Sequence, residues 1–159
     1  MKKVSKIALV LMTLALLSTA CSKVRTTNLI GTYKSGTATM TVSSDGDVSF
    51  NIPSNATGVL ASLAKITTSK YDSTGQEYRP NALVPWDLTT EKQSYDYEVK
   101  LFFEEEIVDN SSGYPITTRV YHDATLKYKF TKDKETVKCE LNVTVPQGKG
   151  DSGTVTFSK

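Results

Sequence analysis

Few residues of this chain have side chains suited to catalysis, and their spacing does not match the common motifs for a serine nucleophile, a phosphate-binding loop or a metal site. The chain holds one histidine, His122, and two cysteines, Cys21 and Cys139. A serine or cysteine nucleophile needs a neighbouring base, and no Gly-x-Ser-x-Gly sequence is present to position a serine. Transition metals need clusters of histidine and cysteine, which this composition does not supply. The sequence therefore predicts a protein that is not an enzyme and has no metal or cofactor.

His122 falls on the apolar side of a predicted strand, where alternation places it opposite Leu101. Its ring is either a buried base or ligand contact, or a neutral core side chain with a satisfied hydrogen bond. A base needs positioned partners, and the pattern gives His122 no second titrating residue on its face. We expect a neutral core histidine and keep His122 as a candidate ligand contact.

An acidic run, Glu104 to Glu106 followed by Asp109, carries the oxygen ligands that calcium prefers. Neighbouring side chains of a strand point to opposite faces, so only Glu104 and Glu106 converge. Calcium binds roughly six to eight oxygens, and Glu104 is predicted to pair with Arg119. We interpret the run as a charged strand surface and not as a metal site.

Large aromatic residues gather in one irregular segment, Tyr71 to Gln93, which also contains Tyr78, Trp86 and two prolines. Aromatic side chains on loops are typical of binding sites. A lone tryptophan in a small domain also tends to pack against the core. Trp86, Tyr78 and Tyr71 are therefore candidate contacts for a ligand or partner, and a lid that fills one end of the fold is the alternative.

Strands must position these residues, because apolar and polar side chains alternate with period two from Leu29 onward. The turn at residues 44–46 ends in a glycine and predicts a hairpin with a three-residue loop. This hairpin pairs Val42 with Val48 and Met40 with Phe50.

Two long alternating runs, residues 95–107 and 116–130, predict a second hairpin. A fold between Ser111 and Ser112 places three opposite-charge pairs and one aromatic pair directly across from one another, and such pairs stabilise a register. The predicted pairs include Phe103 with Val120, Glu104 with Arg119, Lys100 with Asp123, and Asp96 with Lys127.

The remaining elements follow from the same pattern and from one helical segment. Residues 137–145 are predicted as the next strand, with Phe130 opposite Val137, and residues 154–157 as a short closing strand. A short helix is predicted near residues 56–66, where apolar side chains recur at helical spacing behind a polar cap.

Short turns between strands indicate an antiparallel meander, and a sheet that closes into a barrel removes its open edges. We predict one all-β domain over residues 29–159, a meander closing into a small barrel with the helix near 56–66, and a β-sandwich as the alternative. The start Gly31-Thr32-Tyr33 and the meander resemble the lipocalin-like (calycin) barrels. This resemblance implies a carrier of a small apolar ligand, although typical members have their helix near the end.

The first residues have the pattern of an export signal. A basic stretch up to Lys6 precedes the mostly apolar residues 7–17, and small residues lead to Cys21. The apolar run is shorter than the roughly 20 residues that span a bilayer. The sequence of residues 16–21, LLSTAC, resembles the lipobox of bacterial lipoproteins, with Ser18 at the position where leucine is commonest.

The lipobox resemblance implies that the lipoprotein-processing machinery removes residues 1–20 and that lipid on Cys21 anchors the protein to a membrane. Residues 21–28 are then the lipidated cysteine and a tether. Ser22 resembles the outer-membrane sorting signal of some didermic bacteria, which implies the outer membrane of the cell envelope and leaves its cell-surface or periplasmic face open. An ordinary secretory cleavage beside a chance cysteine is the alternative.

Removal of the signal changes the charge of the protein. Three lysines leave with it, so 16 basic and 17 acidic residues remain, a net charge of −1. A near-neutral domain has no electrostatic attraction for nucleic acid. With lipid on Cys21, Cys139 has no partner for an intramolecular disulfide. We expect a non-catalytic interaction or binding module at the cell envelope that meets an unknown protein, and a carrier of a small apolar ligand is the alternative.

We predict that Cys21→Ser moves the protein from the detergent-rich phase to the aqueous phase in a detergent partition experiment, because acyl chains on Cys21 provide the anchor. Immunoblots of the two phases measure the change. Cys139→Ser is the matched control and should stay with the detergent. A Cys21→Ser protein that partitions like the wild type contradicts lipidation.

Overall fold

A computed structural model of the chain describes residues 23–68, 81–87 and 89–159. Cys21, Tyr71 and Tyr78 lie outside these residues. The described strands are β1 (Val24–Arg25), β2 (Gly31–Ser35), β3 (Ala38–Val42), β4 (Val48–Asn51), β5 (Glu91–Lys92), β6 (Ser94–Asp109), β7 (Ile116–Asp133), β8 (Thr136–Thr144) and β9 (Gly153–Ser158). One α-helix, α1 (Val59–Thr68), and a 3-10 turn (Thr26–Asn28) accompany them.

Seven of the described strands form one antiparallel sheet in the order β4-β3-β2-β9-β8-β7-β6. The sheet curls into a half-barrel whose edge strands are β4 and β6. Two series of strands linked by short connections, β2 to β4 and β6 to β9, meet where β2 lies beside β9. β1 pairs with β5 in a separate two-stranded ribbon. The predicted all-β fold, a barrel-like antiparallel sheet with one short helix, is confirmed. The sheet forms half of a barrel, so the predicted closure is not complete and β4 and β6 are its edges.

The core fills the inner face of the curled sheet, where α1 packs against the strands. Alternate side chains of β8 face inward, and those of Val137, Cys139, Leu141 and Val143 are at most 3% exposed. Five aromatic rings are also fully buried, those of Tyr33, Phe103, Tyr128, Phe130 and Phe157. Burial of one large apolar side chain contributes roughly 1.5–3 kcal/mol. The apolar core therefore supplies the main stabilisation of the domain.

The hairpin of β3 and β4 has the predicted register. Val42 pairs with Val48 and Met40 with Phe50. The Ser43 hydroxyl accepts hydrogen bonds from the backbone amides of Asp45 and Asp47, at 3.2 and 3.1 Å. These bonds fix the three-residue turn and confirm the prediction made from the glycine at its end.

The long hairpin of β6 and β7 forms, but its register differs from the prediction by two residues. Phe103 pairs with His122 and not with Val120. A two-residue shift leaves every side chain on its predicted face, because strand side chains alternate with period two. The loop is longer than predicted and covers residues 110–115, since Gly113 has a φ of +78° and Pro115 has no amide hydrogen to give to the ladder.

The next hairpin shows the same two-residue difference. Phe130 pairs with Cys139 and not with Val137. The turn consists of Lys134 and Glu135, and Lys134 has a left-handed φ of +54°. Glycine or asparagine usually marks such a position, so the lysine gave no signal that located the turn.

Two predicted boundaries also differ from the structure. The helix begins at Val59 because Gly58 has a φ of +62°, which lies outside the helical range. The domain begins before Leu29, since Val24 and Thr26 are fully buried and β1 pairs with β5. The tether predicted over residues 21–28 is therefore wrong in its length, because the chain joins the domain at Val24.

Trp86 closes over the β3–β4 turn. Its indole Nε1 donates a hydrogen bond to the Ser44 carbonyl oxygen at 2.9 Å, and the Leu83 amide donates to the Gly46 carbonyl oxygen at 2.9 Å. Gly46 has a φ of +86°, and a Cβ added there would lie 2.8 Å from the indole ring. Glycine is required at this position both by the backbone conformation and by the tryptophan.

We predict that Gly46→Ala lowers the free energy of unfolding by roughly 2–4 kcal/mol, because alanine is strained in this conformation and displaces the indole. Gly36→Ala is the matched control. Gly36 also has a positive φ, of +59°, but nothing lies within 4 Å of an added Cβ, so the loss should be about 1 kcal/mol. Urea unfolding measures both losses, and equal values contradict the contact with Trp86.

Candidate functional site

The outer part of the β6–β7 hairpin extends beyond the sheet. β8 accompanies β7 only from Thr125 to Asp133, so the remainder of β7 pairs with β6 alone. Phe103 is the last buried residue of β6, and Ala124 is the first of β7. We call residues 104–121 the distal hairpin. It is a two-stranded ribbon that projects from the domain.

The distal hairpin carries most of the exposed large apolar side chains of the described residues. Four of five such residues belong to it: Ile107, Val108, Tyr114 and Ile116. Tyr114 lies in the loop and is 81% exposed. Ile107 and Ile116 are on the inner face of the ribbon, and Val108 is on the outer face. Apolar side chains concentrated on one projecting element are typical of a contact surface.

Acidic side chains surround the base of the distal hairpin. On the outer face, Arg119 contacts Glu104 and Glu106, with nitrogen–oxygen distances of 3.3 Å to each. The predicted contact between Glu104 and Arg119 is present, but it is diagonal, because the strand partner of Arg119 is Glu106. One cation therefore compensates two carboxylates on this face.

On the inner face, Glu105 joins His122 and Lys149. The His122 Nε2 lies 2.9 Å from Glu105 Oε2, and the Lys149 Nζ lies 3.1 and 3.0 Å from the two carboxylate oxygens. The expectation that His122 is a core residue without a titrating neighbour on its face is wrong. His122 is half-buried and pairs with Phe103, not Leu101, which leaves Glu105 in diagonal contact with it.

The loop between β8 and β9, residues 145–152, brings Lys149 to this cluster. The Asp151 amide donates a hydrogen bond to Ser62 Oγ of α1 at 2.8 Å. A Cβ added to Gly150 would lie 2.6 Å from the same oxygen. This close approach holds the loop against α1. The hydrogen bond with His122, followed by that from Lys149, holds the pKa of Glu105 below its usual range.

Two cavities among the described residues have charged side chains on their borders. One of about 460 Å³ is bordered by Lys65 of α1 and by the three successive glutamates 104–106. Another, of about 430 Å³, lies on the polar face of the sheet, and Lys127, Lys129 and Glu140 are among its lining residues. Charged walls suit a polar partner better than an apolar ligand.

The other predicted site residues lie apart from this cluster or outside the described residues. Trp86 is half-buried on the β3–β4 turn, whereas Tyr71, Tyr78 and Cys21 fall in residues that the structure does not describe. Cys139 is fully buried, and burial raises the pKa of its thiol. The structure therefore does not bring Trp86 to the cluster around His122.

The sequence pattern did not predict the contact of Glu105 with His122 or the exposure of the apolar end of the distal hairpin. A signal for Glu105 was present, because it occupies the inward parity between Phe103 and Ile107. A carboxylate among the inward-facing positions of a strand indicates where that strand extends beyond the apolar core. The apolar residues at the tip gave no comparable signal, since alternation alone places them in the core.

Within the described ranges, no group of three histidine, cysteine, aspartate or glutamate side chains is placed to hold a metal ion. No helix in that part of the chain is long and apolar enough to cross a bilayer. Comparison with protein-family models, curated proteins and solved structures found no match.

We predict that the Glu105 carboxyl titrates below the usual glutamate pKa, and that His122→Phe or Lys149→Met raises this pKa because each removes a hydrogen bond. A group with a depressed folded pKa stabilises the fold above its unfolded pKa and loses this effect as the pH falls. The stability difference between wild type and Glu105→Gln should therefore shrink below about pH 4.

Carboxyl NMR titration and urea unfolding at several pH values measure these effects. Lys127→Met is the control, since it removes a cation that contacts Glu98 at 3.1 Å on another part of β6. It should leave the Glu105 titration unchanged. An unaltered Glu105 pKa in both the His122 and Lys149 variants would show that the cluster does not form in solution.

Proposed function

We propose that the chain is a membrane-anchored bacterial lipoprotein whose β domain is a non-catalytic interaction module of the cell envelope. In this proposal the distal hairpin contacts a partner protein. The supporting observation is the concentration of exposed apolar side chains on a ribbon outside the core, at Ile107, Val108, Tyr114 and Ile116. Exposed apolar surface is unfavourable in water, and a partner that covers it gains that free energy.

The position of the N-terminal end of the domain supports this role for the distal hairpin. β1 pairs with β5, which ends two residues before β6 begins. β6 has 16 residues, so its far end lies up to about 50 Å from β5, measured along the strand. Cys21 precedes Val24 by three residues, a span of at most about 11 Å. Lipid on Cys21 would hold the membrane at the β1 end, with the distal hairpin directed away from it.

The composition of the distal hairpin also fits an interaction surface. Protein interfaces combine an apolar centre with a polar, charged rim. The tip supplies the apolar part, and the glutamates at 104–106 with Arg119 supply the charged part. The inner face of the half-barrel, which a carrier of an apolar ligand would use, is occupied by the rings of Tyr33, Tyr128 and Phe130 among others.

We predict that a photo-crosslinking amino acid at position 114 of the full-length protein, expressed in its own cells, forms one discrete adduct. Position 135, in the exposed turn at the opposite end of β7, is the matched control and should form none. Gels of irradiated and unirradiated cells measure the adducts.

Substitution of Ile107 and Ile116 by serine should remove the adduct at position 114, because the apolar contact is lost. Circular dichroism should show an unchanged fold, since both side chains are exposed. Equal adducts at positions 114 and 135, or an adduct that survives the double serine variant, would oppose the distal hairpin as the contact element.

A further inference from the structure

The outer edge of β6 is open over the described part of the chain. β6 is a terminal strand of the seven-stranded sheet, and its one strand neighbour there is β7. It has 16 residues, whereas the other edge strand, β4, has four. The backbone amides and carbonyls of an edge strand are a template for the addition of another strand. Addition of an extended segment to such an edge is a recurring mode of protein recognition.

A groove follows this edge at the base of the distal hairpin. The cavity of about 460 Å³ is bordered by Glu104, Glu105 and Glu106, with Lys65 of α1 opposite them. Successive side chains of a strand point to opposite faces. A cavity that all three border must therefore run along the edge of the strand, beside its outward backbone groups. The groove is the place where an added strand would lie.

The charges of the groove indicate the chemistry of its occupant. Residues 104–109 contain four carboxylates and no cation. Within the described residues, the cations in ion-pair contact with them are Arg119, shared by Glu104 and Glu106, and Lys149 at Glu105, where His122 also lies. Lys65 borders the same groove, so three cations of the described residues stand against four carboxylates and leave an excess of one negative charge. Lys65, whose Nζ lies 5.2 Å from the Phe103 ring centre, forms the far wall.

A second copy of the chain fits this edge poorly. If two copies of residues 104–109 paired antiparallel with residue 105 opposite itself, glutamates would face glutamates at every position from 104 to 106. If residue 107 lay opposite itself instead, the pairing would place Glu105 opposite Asp109. Like charges directly across a sheet are destabilising. A segment with lysine or arginine opposite the glutamates makes favourable pairs instead, and an aliphatic residue further along would cover Ile107.

We propose that the open edge of β6 over residues 104–109 binds an extended, lysine- or arginine-bearing segment of the partner protein as an added β-strand. The inference rests on the proposed function and specifies the partner's chemistry. Backbone hydrogen bonds to β6 hold the segment, its cations face the glutamates, and its aliphatic side chains cover the apolar tip.

The test uses the full-length protein in detergent and a fluorescent ten-residue peptide of alternating lysine and valine. Fluorescence anisotropy measures binding, and hydrogen–deuterium exchange locates it. We expect binding with slowed exchange of the amides in residues 104–109. A glutamate–valine peptide should not bind. A lysine–valine peptide with alternate amides N-methylated keeps its charge but cannot form the ladder, and it should bind at least tenfold more weakly.

Variants of the protein distinguish binding at the charged edge of β6 from nonspecific electrostatic attraction to the protein. Glu104→Gln with Glu106→Gln should weaken binding of the lysine–valine peptide roughly fivefold, from the loss of two cross-strand charge pairs. Asp96→Asn with Glu98→Gln, on the same face of the same strand but outside the groove, is the matched control and should leave binding unchanged. Thermal unfolding checks that both double variants stay folded.

Equal binding of the N-methylated peptide, or protection outside residues 104–109, would overturn strand addition. Binding of the Cys21→Ser protein, which lacks the lipid anchor, to phosphatidylcholine vesicles in place of the peptide would assign the tip to a membrane. Dimers that the Glu104 and Glu106 variant strengthens, because it removes like charges that would face each other, would assign the edge to a second copy. A crosslink at position 114 that persists when the peptide fails leaves the proposed function standing and removes strand addition alone.

Discussion

The pairing of β6 with β7 is the interaction on which the rest of the structure depends. The two strands share an unbroken ladder from Ser94 opposite Thr131 to Asp109 opposite Ile116. One end of the ladder contributes buried rings such as Tyr97 and Phe103 to the core, and the other end is the distal hairpin. Because the same backbone hydrogen bonds continue through both ends, packing in the core fixes the orientation of the distal hairpin, which has no buried core of its own.

The period of two in the sequence explains how much of the fold was predictable. It identified the strands, the inward faces and the β3–β4 register, where Gly46 marks the turn. The predicted registers of both later hairpins differ from the observed ones by two residues. In one hairpin, Lys134 adopts a left-handed conformation that is unusual for lysine. In the other, the loop around Gly113 is longer than the serines at its centre indicated. An error of two residues changes every cross-strand partner but leaves each side chain on its predicted face of the sheet.

The candidate site was predictable only in part. Glu104 and Arg119 were matched by charge, and their contact survives the corrected register as a diagonal one. Alternation cannot state where a strand leaves the core, so it assigned Ile107 and Ile116 to the interior. Lys149 reaches Glu105 across 44 positions of sequence, through a loop that α1 holds by Ser62. No local pattern contains a contact of that kind, since it follows from the curl of the sheet.

β9 lies near the middle of the sheet, between β2 and β8, although it follows all of the other described strands in the chain. Synthesis starts at the N-terminus, so the β2–β4 and β6–β8 series emerge as two incomplete halves with unpaired inner borders. Neither half can join the other until the residues of β9 (Gly153–Ser158) arrive. The sheet therefore becomes continuous only when β9 is added, and until then β2 and β8 each present an open edge of the kind that promotes aggregation.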